Sequence, residues 1–236
     1  MKIHHLHLTT LIDYPDEVAS IIFLGGCNLN CGYCYNKPLA RSDPKLPVLS
    51  TSHVLKTLAQ RKPYIQAVVV TGGEPTIHSE LPELLYCLKI EGFKVKLDTN
   101  GTNPKRLSQI LNQKLVDYVA MDIKAPLETY HLVAGAPIDT AGLKASMAIL
   151  VDDGVQFEFR TTLWKGLFSE PSFRQMVTDF PLLQTAGSRR YYLQNYYPTS
   201  FVEGGQYQPL SKHDVAPLLT IAQAMGIQPT LRGTWL

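Results

Sequence analysis

The sequence predicts an α/β fold on a parallel sheet, curled into a partial barrel or left open as a doubly wound layer. From residue 18 onward, short apolar runs alternate with helix-like stretches, the pattern of successive βα units. Glycine-, acid- and threonine-bearing motifs recur just after the apolar runs, at the rim where α/β folds gather their sites. The length of 236 residues suits one domain over 1–236, with an N-terminal extension at 1–17 and a closing helix and short strand at 211–232.

Predicted strands cover 18–24, 67–70, 93–98, 118–122, 155–162 and 191–194, and 228–231 adds a short final one. Ser52 caps a helix through Val54, Leu55 and Leu58. Pro82 sits near the start of a helix at 83–91, and Gly92 lies just past its end. Asn103-Pro104 opens another helix, carrying Leu107, Ile110 and Leu111. Leu143, Met147, Leu150 and Val151 share one helical face before Gly154. Ser211 with Asp214 makes a capping-box pattern ahead of Leu218, Ile221 and Met225, and Gly226 ends that helix.

Hydrophobic content of 45% and charged content of 18% describe an ordinary globular chain. A formal charge of +2 is too small to announce a nucleic-acid partner. Arg189-Arg190 and Lys94/Lys96 read as solvated strand ends, and His4, His5 and His7 as surface residues on an edge strand. No apolar run approaches the roughly 20 residues that span a bilayer, so no membrane partner is expected. The N-terminus lacks a signal-peptide pattern, and reduced cysteines fit the cytoplasm.

Three cysteines in twelve residues carry the chemistry: Gly25-Gly26-Cys27-Asn28-Leu29-Asn30-Cys31-Gly32-Tyr33-Cys34-Tyr35-Asn36. Three thiolates hold three irons of a four-iron, four-sulfur cube and leave the fourth iron open. Spacing of i, i+4, i+7 would equally line a buried helix face, but the interleaved Gly and Asn disfavour helix. A structural zinc site wants four ligands, and no second cysteine pair follows. One short cluster plus a lone Cys87 is no disulfide framework, and Cys87 among Leu84, Leu85 and Leu88 reads as a small buried hydrophobe.

The C-x₃-C-x₂-C spacing, with an aromatic before the third cysteine, resembles the signature of the radical S-adenosylmethionine (radical SAM) enzymes. Thr10-Leu11-Ile12-Asp13-Tyr14-Pro15 and Ile21-Ile22-Phe23-Leu24-Gly25-Gly26-Cys27 are similar to the activating proteins of anaerobic ribonucleoside-triphosphate reductases, relatives of pyruvate formate-lyase activating enzyme. The likeness runs to Leu231-Arg232-Gly233. It implies a partial (β/α)6 barrel of parallel strands, radical SAM type. It also implies a [4Fe-4S] cluster on Cys27, Cys31 and Cys34, with S-adenosylmethionine at the open iron. Two departures stand beside the motif: Tyr35-Asn36-Lys37-Pro38 where the group commonly has His after the third cysteine, and Asp16 at a place often held by Gly.

Further site residues follow from the resemblance and their strand-end positions. Gly72-Gly73-Glu74 alone reads as a plain turn; as the family's Gly-Gly-Glu motif, it contacts the methionyl amino group. Asp98, Asp122 and Thr99 would hold the polar end of the cofactor, a bound cation between the carboxylates being one option and Lys124 balancing charge. Thr162 and Asn195 are placed near the adenosine, and Tyr33 and Tyr35 against the adenine.

The implied reaction is reductive cleavage of S-adenosylmethionine to a 5′-deoxyadenosyl radical. That radical then takes a hydrogen atom from a glycine of a partner glycyl radical enzyme. A low-potential electron donor such as flavodoxin or ferredoxin is needed, under anaerobic conditions. The alternative is a small-molecule substrate such as a deazapurine or amino-acid derivative. A closed polar cavity would favour that reading, whereas an open groove with Tyr196, Tyr197 and Phe201 favours a polypeptide. An electron carrier or zinc-binding module is the non-enzymatic reading.

Overall fold

The computed structural model describes residues 1–185, 190–202 and 206–235. One eight-stranded sheet runs in chain order: β1 (Ile3–Thr10), β2 (Ala19–Leu24), β3 (Ala67–Gly72), β4 (Lys94–Thr99), β5 (Tyr118–Asp122), β6 (Gln156–Leu163), β7 (Tyr191–Asn195) and β8 (Thr230–Arg232). Each pair from β2 to β8 is parallel, and β1 alone is antiparallel. A doubly wound sheet reverses strand order at a switch point; this one never does, so the partial barrel is the architecture. The expected six βα units are β2 to β7. The N-terminal extension contributes an antiparallel edge, so not every strand of the sheet is parallel.

Between the strands lie α1 (Lys37–Ala40), α2 (Thr51–Arg61), α3 (Leu81–Ile90), α4 (Pro104–Asn112), α5 (Tyr130–Ala134), α6 (Thr140–Asp153), α7 (Glu170–Asp179), α8 (Leu182–Thr185) and α9 (Lys212–Ala224). Their apolar faces cover the outer face of the sheet, where Ile22, Leu24, Val68, Val70, Val95, Leu97, Val119 and Phe159 alternate outward. None of these helices is long and apolar enough to cross a membrane.

The inner face holds a smaller apolar layer of Ala19, Ile21, Ala67, Val69 and Tyr118, plugged by Tyr14 from the 11–17 loop. Above it the lining turns ionic on β4, β5 and β6.

Several local expectations change. Ser50, not Ser52, caps α2 by accepting from His53 N at 3.2 Å. Asn103 caps α4 and Ser211 with Asp214 boxes α9 as their sequence patterns require. Asp16 adopts a left-handed φ of 63°, which accounts for glycine being common at its place. His4 is buried, its Nδ1 2.7 Å from Pro47 O, while His5 and His7 are exposed. Lys96 is 2% exposed and donates to Asp13 O at 2.7 Å, so only Lys94 of that pair is solvated. Cys87 is half-buried rather than buried on α3. Arg189 lies outside the described residues.

Candidate active site

The loop after β2 carries all three site thiols, with Cys31 buried and Cys27 and Cys34 half-buried, and none is in a disulfide. Its backbone is clamped on several sides. Gly26 N donates to Leu39 O at 2.8 Å, Gly26 O accepts from Glu74 N at 2.8 Å, and Asn30 N donates to Ala134 O at 2.9 Å. His78 Nε2 reaches Gly25 O at 2.9 Å, and the Asn28 side chain bonds both Thr102 and Asn100. The loop is therefore held by the ends of β3 and β4 and by α1 and α5.

Burial pushes the Cys27 thiol up to about 11 and raises that of Cys31. Among the described residues, no three His, Cys, Asp or Glu side chains converge closely enough for a single metal ion. Cys31 lies near enough to Cys27 and to Cys34 for their charges to act on one another, and three neighbouring thiols on one fixed loop suit a cluster that takes cysteine sulfur on different irons. The donor set fits that group.

Gly72 and Gly73 explain why β3 must end in small residues. A Cβ on Gly73 would fall 1.9 Å from Gly26 O, and one on Gly72, at φ +120°, would fall 2.3 Å from Leu24 O. The turn lies flush against the thiol loop.

Glu74 beyond it is buried, and four donors already engage its carboxylate. Oε1 accepts from Thr76 N at 3.0 Å, Thr76 Oγ1 at 2.5 Å and Thr99 Oγ1 at 2.8 Å, while Oε2 accepts from Asn100 N at 2.6 Å. Glu74 is thus a tie between β3 and β4 rather than a free carboxylate, and Thr99, expected at the polar end of the cofactor, turns its hydroxyl to Glu74. Burial raises the carboxyl pKa against those bonds. Glu74→Gln keeps one carbonyl acceptor but sets an NH2 group against the donors of the other oxygen, Asn100 N where the carbonyl takes the Oε1 place. We therefore expect a loss of roughly 2–3 kcal/mol of stability. Thermal melting, together with iron content after reconstitution, checks this.

Asp98 and Asp122 share a cation, and it is a protein side chain. Arg160 on β6 places Nη1 3.2 Å from Asp98 Oδ2 and Nε 2.9 Å from Asp122 Oδ1. Lys96 approaches Asp98 Oδ1 at 2.9 Å, and Lys124 reaches Asp122 Oδ2 at 3.1 Å. The bound cation entertained between the two carboxylates is replaced by this guanidinium. Arg160 escaped the sequence reading because it sits inside a strand. Its signal was the i, i+2, i+4 series Glu158, Arg160, Thr162, which puts polar groups on one strand face.

Burial alone would raise Asp98, but Arg160 and Lys96 outweigh it and hold the carboxyl at about 2; Asp122 is lowered in the same way. A carboxyl depressed in the folded state stabilises the protein above its unfolded pKa of about 4, and that stability disappears as pH falls through 2. Asp98 thereby contributes on the order of 2 kcal/mol at neutral pH. Acid titration should show this loss between pH 4 and 2, and Asp98→Asn should flatten that part of the curve.

The remaining candidates separate. Lys124 is buried, with Nζ 6.0 Å from the Tyr33 ring centre. Tyr33 packs on Trp164 at 4.3 Å and Tyr207 at 6.2 Å, so neighbouring aromatics already cover its ring. Tyr35 is 57% exposed. The two tyrosines therefore do not form one adenine platform.

Thr162 follows Arg160 on the same strand face, with Gln194 as its register partner. The Asn195 amide is committed elsewhere: Nδ2 donates to Leu210 O and Thr234 O, and Oδ1 accepts from Leu210 N. It ties down the C-terminal segment instead of facing an adenosine.

Residues 21–170 match the radical SAM superfamily. A Methanocaldococcus jannaschii protein named as a glycyl-radical enzyme activating enzyme is 34% identical over 172 residues, spanning 70% of this chain and 70% of its own. The 7-carboxy-7-deazaguanine synthase of Clostridium acetobutylicum is 32% identical over 111 residues, 47% of this chain and 48% of that enzyme. The crystal structure of Streptococcus suis SuiB bound to precursor peptide SuiA superposes with a TM-score of 0.68 over 90% of this chain at 17% identity, and this chain spans 48% of SuiB. That likeness concerns the fold alone. A thiol loop behind the first parallel strand, an unreversed strand order and these matches agree: the chain is an enzyme of the radical SAM superfamily, whose members work with a [4Fe-4S] cluster and S-adenosylmethionine.

Proposed function

We propose that this enzyme generates a glycyl radical on a partner enzyme, either an anaerobic ribonucleoside-triphosphate reductase or a related glycyl radical enzyme, and does so as a single domain. The observation that carries this is the open sheet: the order ends at β1 and β8 without their pairing. The ionic rim of Asp98, Asp122 and Arg160 therefore lines an unclosed barrel, and a polypeptide loop can enter from the side. A glycine α-hydrogen can be reached only in that way. The named M. jannaschii relative supports the same reading.

Cys27, Cys31 and Cys34 would hold the cluster, which when bound supplies the electron that cleaves S-adenosylmethionine to methionine and a 5′-deoxyadenosyl radical. The protein's own part is positional. Gly72, Gly73 and Glu74 fix the thiol loop against β3 and β4. Lys124, paired with Asp122 at 3.1 Å, balances the charge of that carboxylate. Arg160, Asp98 and Asp122 provide a rigid set of donors and acceptors at the mouth. The apolar inner layer with Tyr14 keeps water from entering below. A low-potential donor such as flavodoxin or ferredoxin would supply electrons in the cytoplasm.

Anaerobic reconstitution, reduction with dithionite and assay for 5′-deoxyadenosine test the chemistry. Adding an anaerobic ribonucleotide reductase and recording its electron paramagnetic resonance spectrum tests the substrate, with a glycine-centred doublet expected. The deazaguanine synthase relative favours one second reading, a small heterocyclic substrate held by the polar rim. Turnover of a deazapurine precursor, with no protein radical, would establish that reading instead.

A further inference from the structure

The short helix α1 begins three residues after Cys34 and packs onto the thiol loop through the Gly26 N to Leu39 O bond of 2.8 Å. Opposite α1 stands Phe201, from the segment after β7, and the groove between them is flanked by Lys37 and Arg41. Around the ionic rim the cations are consumed, since Lys96, Lys124, Arg160 and Arg232 each meet a carboxylate within 3.2 Å. Among the described residues, no carboxylate pairs with Lys37 or Arg41. Among the described residues that line the groove, the one acid, Asp43, accepts from Lys45 N at 2.8 Å through Oδ1. Phe201 is 53% exposed beside these charges. An exposed aromatic with an unpaired arginine is the composition of a protein-docking anchor.

The geometry points to this groove as the docking site of an acidic one-electron carrier protein. This deepens the proposed function and rests on its reading of the thiol loop as a redox centre. In each encounter, the reduced carrier loses one electron and the centre behind α1 gains it; no bond is made or broken. Two unpaired cations select a partner with surface carboxylates and steer its approach. A polypeptide substrate, in contrast, must enter the barrel mouth at Arg160.

The test uses the full chain and a purified flavodoxin carrying its flavin. Titration calorimetry should show binding that weakens about tenfold or more between low and high salt. The double variant Lys37→Glu/Arg41→Glu should lose at least about tenfold in affinity, while Lys144→Glu, an exposed charge on α6, should not. Flavodoxin-driven formation of 5′-deoxyadenosine should fall with it, and the dithionite-driven rate should stay unchanged. Unaltered flavodoxin affinity in the double variant would overturn the assignment. So would a lost glycyl radical with flavodoxin binding intact, which would give the groove to the polypeptide. The dithionite arm reports on the radical chemistry itself, so failure of docking and failure of the underlying reading give different results. Circular dichroism melting confirms that the variants are folded.

Discussion

Replacing any one of Cys27, Cys31 and Cys34 by alanine should abolish cluster assembly and S-adenosylmethionine cleavage while leaving the chain folded. A cube held by three thiols has no spare protein ligand, so two thiolates cannot retain it. The loop itself has other supports. Gly26 bonds Leu39 and Glu74, Asn30 bonds Ala134, and Asn28 bonds Thr102 and Asn100. Truncating a single small side chain costs about 1 kcal/mol, far less than a domain's stability. Iron and sulfide analysis after anaerobic reconstitution is the measurement, and Cys87→Ala on α3 is the control that should load normally. Equal iron in a site variant and the control would mean that the ligands lie elsewhere.

Arg160→Ala should be the most damaging substitution outside the thiol loop. Its guanidinium bonds Asp98 and Asp122 at once, and its loss leaves two carboxylates on adjacent strands without their common partner. Breaking a buried charge pair costs about 3–5 kcal/mol, which for a chain of this size lowers the melting temperature by roughly 6–20 °C. Lys96 and Lys124 still neutralise one carboxylate each, so the loss should fall well short of unfolding at room temperature. Arg160→Lys keeps a charge but cannot span both aspartates, and should recover only part of the loss. Combining Arg160→Met with Asp98→Asn should cost less than the sum of the two, because the residues share one network. Additive losses would show that the pairs act independently.

Much of the architecture was legible because each layer repeats one physical rule. Val68-Val69-Val70 and Tyr118 to Met121 read as strands through β-branched or apolar runs of the right length. The motifs lay at strand ends because βα loops meet there. The thiol spacing was unambiguous once its glycines and asparagines argued against a helix.

What stayed hidden was mostly the use made of a recognised residue. Glu74 and Asn195 looked like ligand contacts, yet each is satisfied by protein donors and acceptors that only the folded chain brings near. Thr99 and Asp98 are adjacent, but successive residues on a strand face opposite sides, and so they serve different partners. Tyr33 and Tyr35 lie two apart in an irregular loop, where no period says that one ring meets Trp164 and the other the solvent. Lys96 and Arg160 were the hardest to place. A charge in mid-strand normally marks the wet face, and only the curvature of the sheet turns that face into an ionic interior. Ser50 and Ser52 are chemically the same cap, and backbone direction alone decides between them.

The central claim is that three thiols on one loop leave a single iron open to S-adenosylmethionine. Mössbauer spectra of the ⁵⁷Fe-reconstituted protein, recorded before and after adding S-adenosylmethionine, test it most directly. One iron of four should change its parameters on addition of the cofactor while the other three keep theirs. Four irons indifferent to S-adenosylmethionine would contradict the account.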